Sequence, residues 1–293
     1  MCHCERSEAI PLLPSNIKAL VLDMDGVLWT ENRPIGDLST IFAAITRRGL
    51  KVALATNNST KTPEQYLARL RGFGVTGLED WQIVTSSQAL AHVLTEQFPS
   101  PFMEEGLGVR AEIFTIGETG LIEALREHGF TPITDADYAG TPLAVVLGMD
   151  RSLDFAKLRR AALLIRRGIP FYATNPDRTF PTPEGLIPGC GTLIAALETA
   201  TDVKPIVVGK PAAYMLQLAL EQLGTKPAET LVVGDRLETD IAAAQVAGCR
   251  TALVLSGVST SAMGKAWRPA IEVIAADLSE LLSPLLSVSS IGS

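Results

Sequence analysis

The chain has 293 residues, which is enough for two domains or for one large α/β domain. Hydrophobic residues make up 47% and charged residues 19%, a composition that favours a sizeable core and disfavours disorder. The formal net charge of −7 disfavours non-specific binding to nucleic acid, because neutralising phosphates requires clustered Lys and Arg. Any anionic substrate therefore needs a local cation, such as a lysine or a metal ion.

The start of the chain carries Cys2, His3 and Cys4, which could bind a metal but are better explained as a frayed tail. Together with Cys190 and Cys249 they have the spacing of neither a zinc site nor a disulfide framework. No apolar run follows basic residues at the N-terminus, and no apolar stretch reaches 18 residues. We therefore expect a cytoplasmic protein without a signal peptide or membrane span.

Short apolar runs alternate with amphipathic stretches, which is the pattern of a parallel sheet covered by helices. Five of the runs are predicted strands: Ile17–Leu22, Val52–Ala55, Ile206–Val208, Thr230–Val233 and Ala252–Leu255. Four of these strands lead to a polar residue that is capable of chemistry, namely Asp23, Thr56, Lys210 or Asp235. Because ligands bind at the carboxyl ends of strands in open parallel sheets, this coincidence predicts an active site.

Three helices are indicated beside these strands. Thr62 begins a capping box with Pro63 at the first helical position, and this helix is expected to end near Gly72. A second helix is predicted to begin at Pro211, and a third to run over Thr239–Ala247 and stop at the following glycine.

The middle of the chain predicts a separate unit. Further strands and helices fall between the second and third polar strand ends: Glu112–Ile116, Leu143–Leu147, Phe171–Ala173, Thr119–His128 and Leu153–Arg167. We interpret residues 88–185 as an inserted α/β domain, and residues 1–87 with 186–293 as the core domain around it.

Asp23 and Asp25 form the first motif. Their side chains point the same way if the backbone is extended, because they lie two residues apart. Paired acids allow one carboxylate to attack while the other transfers protons. Gly26 permits the sharp exit that such a loop needs. An acidic turn without a catalytic role explains the same residues equally well.

Thr56, Asn57 and Asn58 form the second motif, together with the serine that follows them. Their hydroxyl, amide and backbone N–H groups could hold the oxygens of a phosphate. An ordinary polar loop before the Thr62 cap has the same composition, so this motif carries little weight without the others.

Lys210 is the third motif. If Pro211 is the first helical residue, the lysine faces the positive end of the helix dipole, which is mildly unfavourable. A bound anion would reverse the sign of that interaction. A phosphate site therefore explains Lys210 better than a purely structural role does.

Asp235 and Asp240 belong to the fourth motif. Asp235 follows an apolar strand, as Asp23 does, and hard oxygen ligands from two strand ends suit Mg²⁺. Asp240 has two explanations of equal weight. It begins a helix, where acids are favoured, or it orients Lys210 or a metal ligand through a hydrogen bond without binding the metal itself.

These motifs, in this order and each after a strand, resemble those of the haloacid dehalogenase superfamily, and more narrowly those of its NagD-like and 4-nitrophenylphosphatase-like subfamily IIA. The resemblance covers nearly the whole chain. It is carried by Leu22–Leu28, Thr56–Ser59, Val208–Pro211, Gly234–Asp240 and, in the middle unit, Thr174–Asp177. It implies a Rossmann-like core with an inserted α/β cap of the C2 type. It also implies a Mg²⁺-dependent phosphatase that acts on a small phosphorylated metabolite.

The resemblance implies a role for each acid and for the lysine. Asp23 would be the nucleophile and a metal ligand, and Asp25 would be the acid/base group and bind the metal through its backbone carbonyl. Asp235 would complete the metal site. Lys210 would neutralise the phosphoaspartate and position Asp23. Such a division suits phosphoryl transfer, which depends on positioning and charge stabilisation.

The resemblance also implies the residues that hold the substrate. Thr56, Asn57 and Asn58 would contact the phosphoryl oxygens together with Lys210, and Asn175 of the cap would contribute to substrate binding. Homodimers that pair through their caps are common in this subfamily, so a homodimer is expected.

The position of the insertion helps to separate related reactions. Sugar phosphomutases of the superfamily usually carry a helical cap in the first gap, but only one helix fits between Asp25 and Thr56. The long gap after Asn58 accommodates the inserted domain instead. A phosphomutase and a non-catalytic metabolite-binding module stay open as alternatives, although the module would be expected to lack catalytic residues. A dehalogenase would not need Asp25.

The substrate is less well defined than the reaction. A histidine of the pyridoxal phosphatases aligns with Phe180 of this chain, which disfavours pyridoxal phosphate. Nucleotides, sugar phosphates, phosphoglycolate, glycerol phosphate and aryl phosphates all fit the motifs.

Overall fold

The computed structural model describes residues 13–14, 16–98, 111–182 and 184–286. The segment Cys2–Cys4 lies outside these residues. The described strands form two larger sheets and two hairpins, and helices pack against the sheets. The predicted α/β architecture with parallel sheets is confirmed.

The first sheet contains six strands in the described part of the chain, and neighbouring strands are parallel throughout. Its strands are β1 (Ala19–Leu22), β4 (Lys51–Thr56), β5 (Ile83–Thr85), β13 (Thr230–Gly234), β14 (Arg250–Val254) and β15 (Val273–Ala275). They are ordered β15-β14-β13-β1-β4-β5 across the sheet. The strands before Asp23 and Asp235 are therefore adjacent, with Leu22 opposite Val233.

The second sheet is also parallel, with strands β6 (Glu112–Ile116), β7 (Thr131–Ile133), β8 (Ala144–Leu147), β9 (Phe171–Ala173) and β12 (Ile206–Val207). These strands are ordered β12-β9-β8-β6-β7 across the sheet. The run before Lys210 was predicted together with the core strands, but β12 pairs with β9 in this second sheet. A two-residue strand carries too little pattern to indicate which sheet it joins.

Helices cover both sheets. Those in the first half of the described chain are α1 (Leu38–Arg47), α2 (Pro63–Gly72), α3 (Ser86–Gln97), α4 (Thr119–Glu127) and α5 (Phe155–Arg166). Those in the second half are α6 (Cys190–Thr201), α7 (Tyr214–Leu223), α8 (Ala242–Val246), α9 (Ser261–Ala266), α10 (Leu278–Leu281) and α11 (Ser283–Leu286). None of these described helices has the length and apolar character needed to cross a bilayer.

Two hairpins stand apart from the sheets. The first pairs β2 (Trp29–Thr30) with β3 (Arg33–Pro34), and the second pairs β10 (Thr179–Thr182) with β11 (Gly185–Pro188). Both lie near the carboxyl ends of sheet strands, because the first follows β1 and the second follows β9.

Local sequence signals explain some helix starts but not others. The capping box predicted at Thr62 is present, with Pro63 at the start of α2. The predicted helix at Thr239–Ala247 is a π-helical turn, Leu237–Ile241, that continues into α8. The prediction that a helix begins at Pro211 is wrong. Backbone hydrogen bonds of the two preceding residues hold the chain in a turn, and α7 begins only at Tyr214.

A shared core joins the two sheets. Alternate residues of β1 face opposite sides, as strand geometry requires, so Leu20 and Leu22 pack in a cluster with α1. Ala19 and Val21 pack in another cluster, which extends through α3 and α7 to Ile113 of the second sheet. Helix α3 crosses the predicted boundary at residues 87 and 88. The division into a core and a cap stays a prediction.

Substituting alanine for Asp154 is expected to lower the free energy of unfolding by about 1 kcal/mol. Asp154 caps α5, since its carboxylate accepts a hydrogen bond from the backbone N–H of Lys157 at 2.8 Å. Urea denaturation followed by circular dichroism measures the change. Asp154→Asn keeps a side-chain oxygen at this position and should unfold close to wild type. Equal losses in the two variants would contradict the capping assignment.

Candidate active site

Three carboxylates meet at the carboxyl ends of β1 and β13. Asp23 follows β1 and Asp235 follows β13, so the parallel register brings both to the same edge of the first sheet. Asp240 comes from the π-helical turn that follows. Carboxylate oxygens of these three residues lie within 4.8 Å of one another. The structure thus brings the predicted metal ligands Asp23 and Asp235 together.

Lys210 lies between two of these carboxylates. Its Nζ is 2.5 Å from Asp23 Oδ1 and 2.7 Å from Asp240 Oδ1, and it donates a further hydrogen bond to the carbonyl of Ala55 at 3.0 Å. The lysine is only 2% exposed. These contacts use all three protons of the ammonium group.

Asp240 combines the two roles between which the sequence could not decide. One carboxylate oxygen accepts a hydrogen bond from the backbone N–H of Arg236 at 3.0 Å, which caps the start of the π-helical turn. The other oxygen pairs with Lys210. The side chain therefore fixes its own helical segment and the lysine together.

Burial dominates the electrostatics of the cluster. It raises the pKa of Asp23 well above its usual range, and the nearby charge of Lys210 opposes this shift. Burial, followed by the charge of Asp240, raises the pKa of Asp235 to about 6. Burial lowers the pKa of Lys210, but Asp23 and Asp240 outweigh it, so the net shift is upward. Three buried carboxylates around one lysine leave excess negative charge that another cation would balance.

Asp235 fits a metal ligand. Its Oδ2 accepts a hydrogen bond from the backbone N–H of Val258 at 2.7 Å, whereas its buried Oδ1 has no partner within the described structure. Unpaired buried carboxylate oxygens are rare in folded proteins, and a hard cation would satisfy this one. The residues present therefore fit a divalent metal ion.

Two glycines make room for the Asp235 side chain. A Cβ atom at Gly26 would lie 2.6 Å from Asp235 Cγ, and one at Gly257 would overlap Asp235 Oδ2. Gly26 also has a φ of +90°, which favours glycine in any case. The sequence motif contains Gly26, but it gives no signal for Gly257 and Val258. These two residues are distant from Asp235 in sequence and contact it only in the folded chain.

Asp25 lines the cavity beside this cluster. Its Oδ1 accepts a hydrogen bond from Nε1 of Trp29 at 2.8 Å, and Trp29 is fully buried. The guanidinium of Arg69 lies 4.1 Å from the centre of the tryptophan ring. Sequence reasoning missed this support, although an indole N–H that is buried usually has an acceptor nearby.

The second motif forms a tight loop after β4. The hydroxyl of Thr56 accepts a hydrogen bond from the backbone N–H of Asn58 at 3.1 Å, so its own proton is left for donation. The side-chain oxygen of Asn58 accepts hydrogen bonds from the N–H and hydroxyl of Thr60 at 2.9 and 2.7 Å. Asn58 therefore shapes the loop, and Thr56 offers a donor to the cavity that it lines.

Asn57 and Asn175 use their side chains within the protein. Asn175 donates both amide protons, to the Asn57 carbonyl at 2.8 Å and to the Thr174 hydroxyl at 3.2 Å. The amide of Asn57 contacts the backbone of Lys210. Both residues line the cavity, but their amides join protein loops to one another.

A cavity of about 680 Å³ opens above the charge cluster. Its floor is formed by the residues already described, and its walls come from both sheets. Met149 and Phe180 supply apolar wall, while Lys61, Arg151 and Arg236 bring positive charge. A volume of this size is within the range of small-molecule binding sites.

Two family models match the chain. Residues 20–131 match one described as haloacid dehalogenase-like hydrolase, and residues 207–281 match one described as HAD-hydrolase-like. The two matched segments contain the four motifs of the charge cluster and its loops.

Curated relatives resemble most of the chain. A 5′-nucleotidase of Bacillus subtilis is 35% identical over 83% of this chain and 88% of its own length. Phosphoglycolate phosphatase 2 of Arabidopsis thaliana is 34% identical over 85% of this chain and 88% of its own length.

Solved structures resemble the fold closely. The p-nitrophenyl phosphatase of Archaeoglobus fulgidus is 32% identical with a TM-score of 0.81, covering 92% of this chain and 99% of its own. NagD of Escherichia coli is 33% identical with a TM-score of 0.78, covering 90% and 98%. A glycerol phosphate phosphatase of Mycobacterium tuberculosis, in complex with calcium, is 33% identical with a TM-score of 0.79, covering 90% and 74%.

Gly257→Ala is expected to weaken the binding of a divalent metal ion about 10–100-fold, as changes around metal ligands commonly do. The added Cβ would overlap Asp235 and displace the carboxylate that has the unpaired oxygen. Isothermal titration of the purified protein with Mg²⁺ measures the effect. Gly72→Ala is the control, because nothing lies within 4 Å of its Cβ position. Unchanged Mg²⁺ affinity in Gly257→Ala would contradict a cation site at Asp235.

Proposed function

The chain belongs to the haloacid dehalogenase-like hydrolase family, and we propose that it is a Mg²⁺-dependent phosphatase that hydrolyses small phosphate monoesters through a phosphoaspartate at Asp23. Its relatives and their shared fold make it a phosphoric monoester hydrolase. The observation that carries the proposed mechanism is the contact of Asp23 with Lys210 inside a cluster of three buried carboxylates at the floor of a cavity.

The substrate is proposed as a class rather than as one compound. The relatives are named for nucleotide, phosphoglycolate, glycerol phosphate and aryl phosphate hydrolysis, and each resembles this chain at 32–35% identity. A cavity of about 680 Å³ exceeds what the smallest of these molecules would fill, so sugar phosphates and mononucleotides are included. Lys61 and Arg236 in the walls suit anionic metabolites, whereas the charge of Arg151 is paired with Glu118.

The metal is proposed to be Mg²⁺. Carboxylates of Asp23 and Asp235 and the backbone carbonyl of Asp25 would hold it, and such hard oxygen donors favour Mg²⁺ over metals that prefer nitrogen or sulfur. When bound, the ion supplies Lewis-acid stabilisation of charge on the phosphoryl group. The unpaired Oδ1 of Asp235 supports this assignment.

In the first proposed step a carboxylate oxygen of Asp23 attacks phosphorus, and the bond from phosphorus to the leaving oxygen breaks. Asp25 gives its proton to that oxygen, so the product leaves as an alcohol. Thr56 donates to a phosphoryl oxygen, and Lys210 compensates the negative charge at Asp23 from 2.5 Å. Burial alone would favour protonated Asp23, so Lys210 also helps to keep the nucleophile ionised.

In the second proposed step water attacks phosphorus of the phosphoaspartate. Asp25, now a carboxylate, takes the proton of the attacking water, and the bond between phosphorus and the Asp23 oxygen breaks. Inorganic phosphate leaves and Asp23 returns to its starting state. The hydrogen bond from Trp29 holds Asp25 in the cavity wall, where one carboxyl group serves both steps.

Removing divalent metal is expected to abolish hydrolysis of 4-nitrophenyl phosphate. Without the cation, the negative charge of the three carboxylates opposes an anionic substrate. Activity is measured in EDTA and again after excess Mg²⁺ is added, which should restore it. Asp235→Asn should then need more Mg²⁺ for half-maximal rate. Full activity in EDTA would contradict the proposed metal dependence.

Asp23→Asn and Asp25→Asn are expected to fail at different steps. Asp23→Asn lacks the nucleophile and should form no covalent adduct. Asp25→Asn keeps the nucleophile but loses the acid/base group, which typically contributes about 10²–10⁴-fold. With an aryl phosphate, whose leaving group needs little protonation, Asp25→Asn should accumulate phosphoenzyme because water attack lacks its base. Acid quenching followed by intact-protein mass spectrometry measures the adduct.

The wild-type protein serves as the reference in the same quench experiment. A phosphate adduct on Asp23→Asn would overturn the assignment of the nucleophile. Return of the phosphoryl group from wild-type enzyme to substrate, rather than to water, would instead favour a phosphomutase.

A further inference from the structure

Asn57 makes two hydrogen bonds to the backbone of the active-site lysine. The N–H of Lys210 donates to Asn57 Oδ1 at 2.8 Å, and Asn57 Nδ2 donates to the carbonyl of Lys210 at 3.0 Å. Both residues are buried. The side-chain amide thus binds the lysine as a neighbouring strand would, although the two residues belong to distant parts of the chain.

An asparagine suits this position chemically. Its amide carries an acceptor and a donor side by side, whereas an aspartate offers no donor and a serine has one oxygen for both tasks. The lysine loop approaches the asparagine closely, because a Cβ atom at Gly209 would lie 2.8 Å from Asn57 Oδ1. The contact therefore depends both on the asparagine at position 57 and on the glycine before Lys210.

The two hydrogen bonds between Asn57 and Lys210 connect the two sheets beside the charge cluster. Lys210 follows strand β12 of the second sheet, and the preceding Gly209 donates to the Thr174 carbonyl at the end of β9. Asp23, the partner of the lysine, directly follows β1 of the first sheet. Asn57 directly follows β4, which is paired with β1, so it holds the lysine backbone from the side of the nucleophile.

The same asparagine reaches the loop after β9. Asn175 donates to the Asn57 carbonyl at 2.8 Å, and Asn57 Nδ2 lies 3.3 Å from Asp177 Oδ1. Asn175 and Asp177 therefore fix Asn57 on the side that faces the loop after β9. Both protons of its amide are directed at protein acceptors, which leaves none for a phosphate oxygen.

We propose that Asn57 is a positioning residue whose side chain fixes the backbone of Lys210 so that the ammonium group reaches Asp23, rather than a residue whose side chain binds the substrate phosphate. This inference rests on the proposed function, because it assigns a support to the proposed catalytic lysine. The family resemblance implies that Asn57 contacts the phosphoryl oxygens, and the proposal excludes its side chain from that contact.

A double-mutant cycle with Lys210 tests the proposal. Asn57→Ala is expected to lower kcat for 4-nitrophenyl phosphate about 10²-fold, as misplacement of a catalytic group by about 1 Å does, while KM stays within about threefold. In the Lys210→Ala background the same substitution should change kcat/KM by less than about threefold, because residues that act as one unit are not additive. High enzyme concentrations make the slow variants measurable.

Two further variants test whether the loss of kcat comes only from a general disturbance of the fold. Asn57→Ser introduces less disturbance but cannot make both bonds to Lys210, so it should show the same loss in kcat. Gln82→Ala is the matched control, since the Gln82 amide also bridges two backbone groups, the N–H of Glu79 at 2.9 Å and the carbonyl of Val52 at 2.8 Å. It lies outside the cavity and should leave kcat unchanged.

The outcomes separate this proposal from the proposed function. A full loss from Asn57→Ala in both backgrounds, or a rise in KM with normal kcat, would overturn the positioning role and favour a separate contact with phosphate. Normal turnover of both Asn57 variants beside an inactive Lys210→Ala would overturn the inference alone. Normal turnover of Lys210→Ala would overturn the role of the lysine itself, and the inference with it.

Discussion

A buried lysine between two carboxylates is the interaction on which the rest of the site depends. Lys210 is 2% exposed and lies 2.5 Å from Asp23 and 2.7 Å from Asp240. Charges buried in this way are stable only when they are paired and hydrogen-bonded. The first sheet supplies the carboxylates and the second sheet delivers the lysine, so the cluster forms only where the two sheets meet. The ion pairs of Lys210 with Asp23 and Asp240 therefore join the two sheets and also form the charge cluster of the candidate active site.

Much of the fold was predictable because local patterns encode it. Apolar runs gave the bounds of Glu112–Ile116 and Phe171–Ala173 as the structure has them, and Thr62 begins a helix as its capping box indicates. Local sequence patterns do not indicate which distant strands pair with each other. Ile206–Val207 therefore joined an unexpected sheet, and the helix expected at Pro211 begins later because hydrogen bonds from other loops hold the preceding turn.

The same distinction applies to the site. Acids at the ends of apolar strands identified Asp23 and Asp235, because a parallel sheet gathers such ends at one edge. Sequence could not show which partners support them. The contacts of the Trp29 indole with the Asp25 carboxylate, of the Val258 backbone with Asp235 and of the Asn57 amide with Lys210 all exist only in the folded chain.

Trapping the covalent intermediate and locating it in the chain would show directly whether Asp23 carries the phosphoryl group. An acyl phosphate is reduced by borohydride, which converts the aspartate that carries it to homoserine. Wild-type enzyme is mixed with 4-nitrophenyl phosphate and Mg²⁺, quenched in acid, reduced and digested, and the peptides are sequenced by mass spectrometry. A phosphoaspartate at Asp23 would give homoserine at position 23 and leave Asp25 as an unchanged aspartate. Homoserine at another position, or none under conditions of full turnover, would contradict the assignment of the nucleophile.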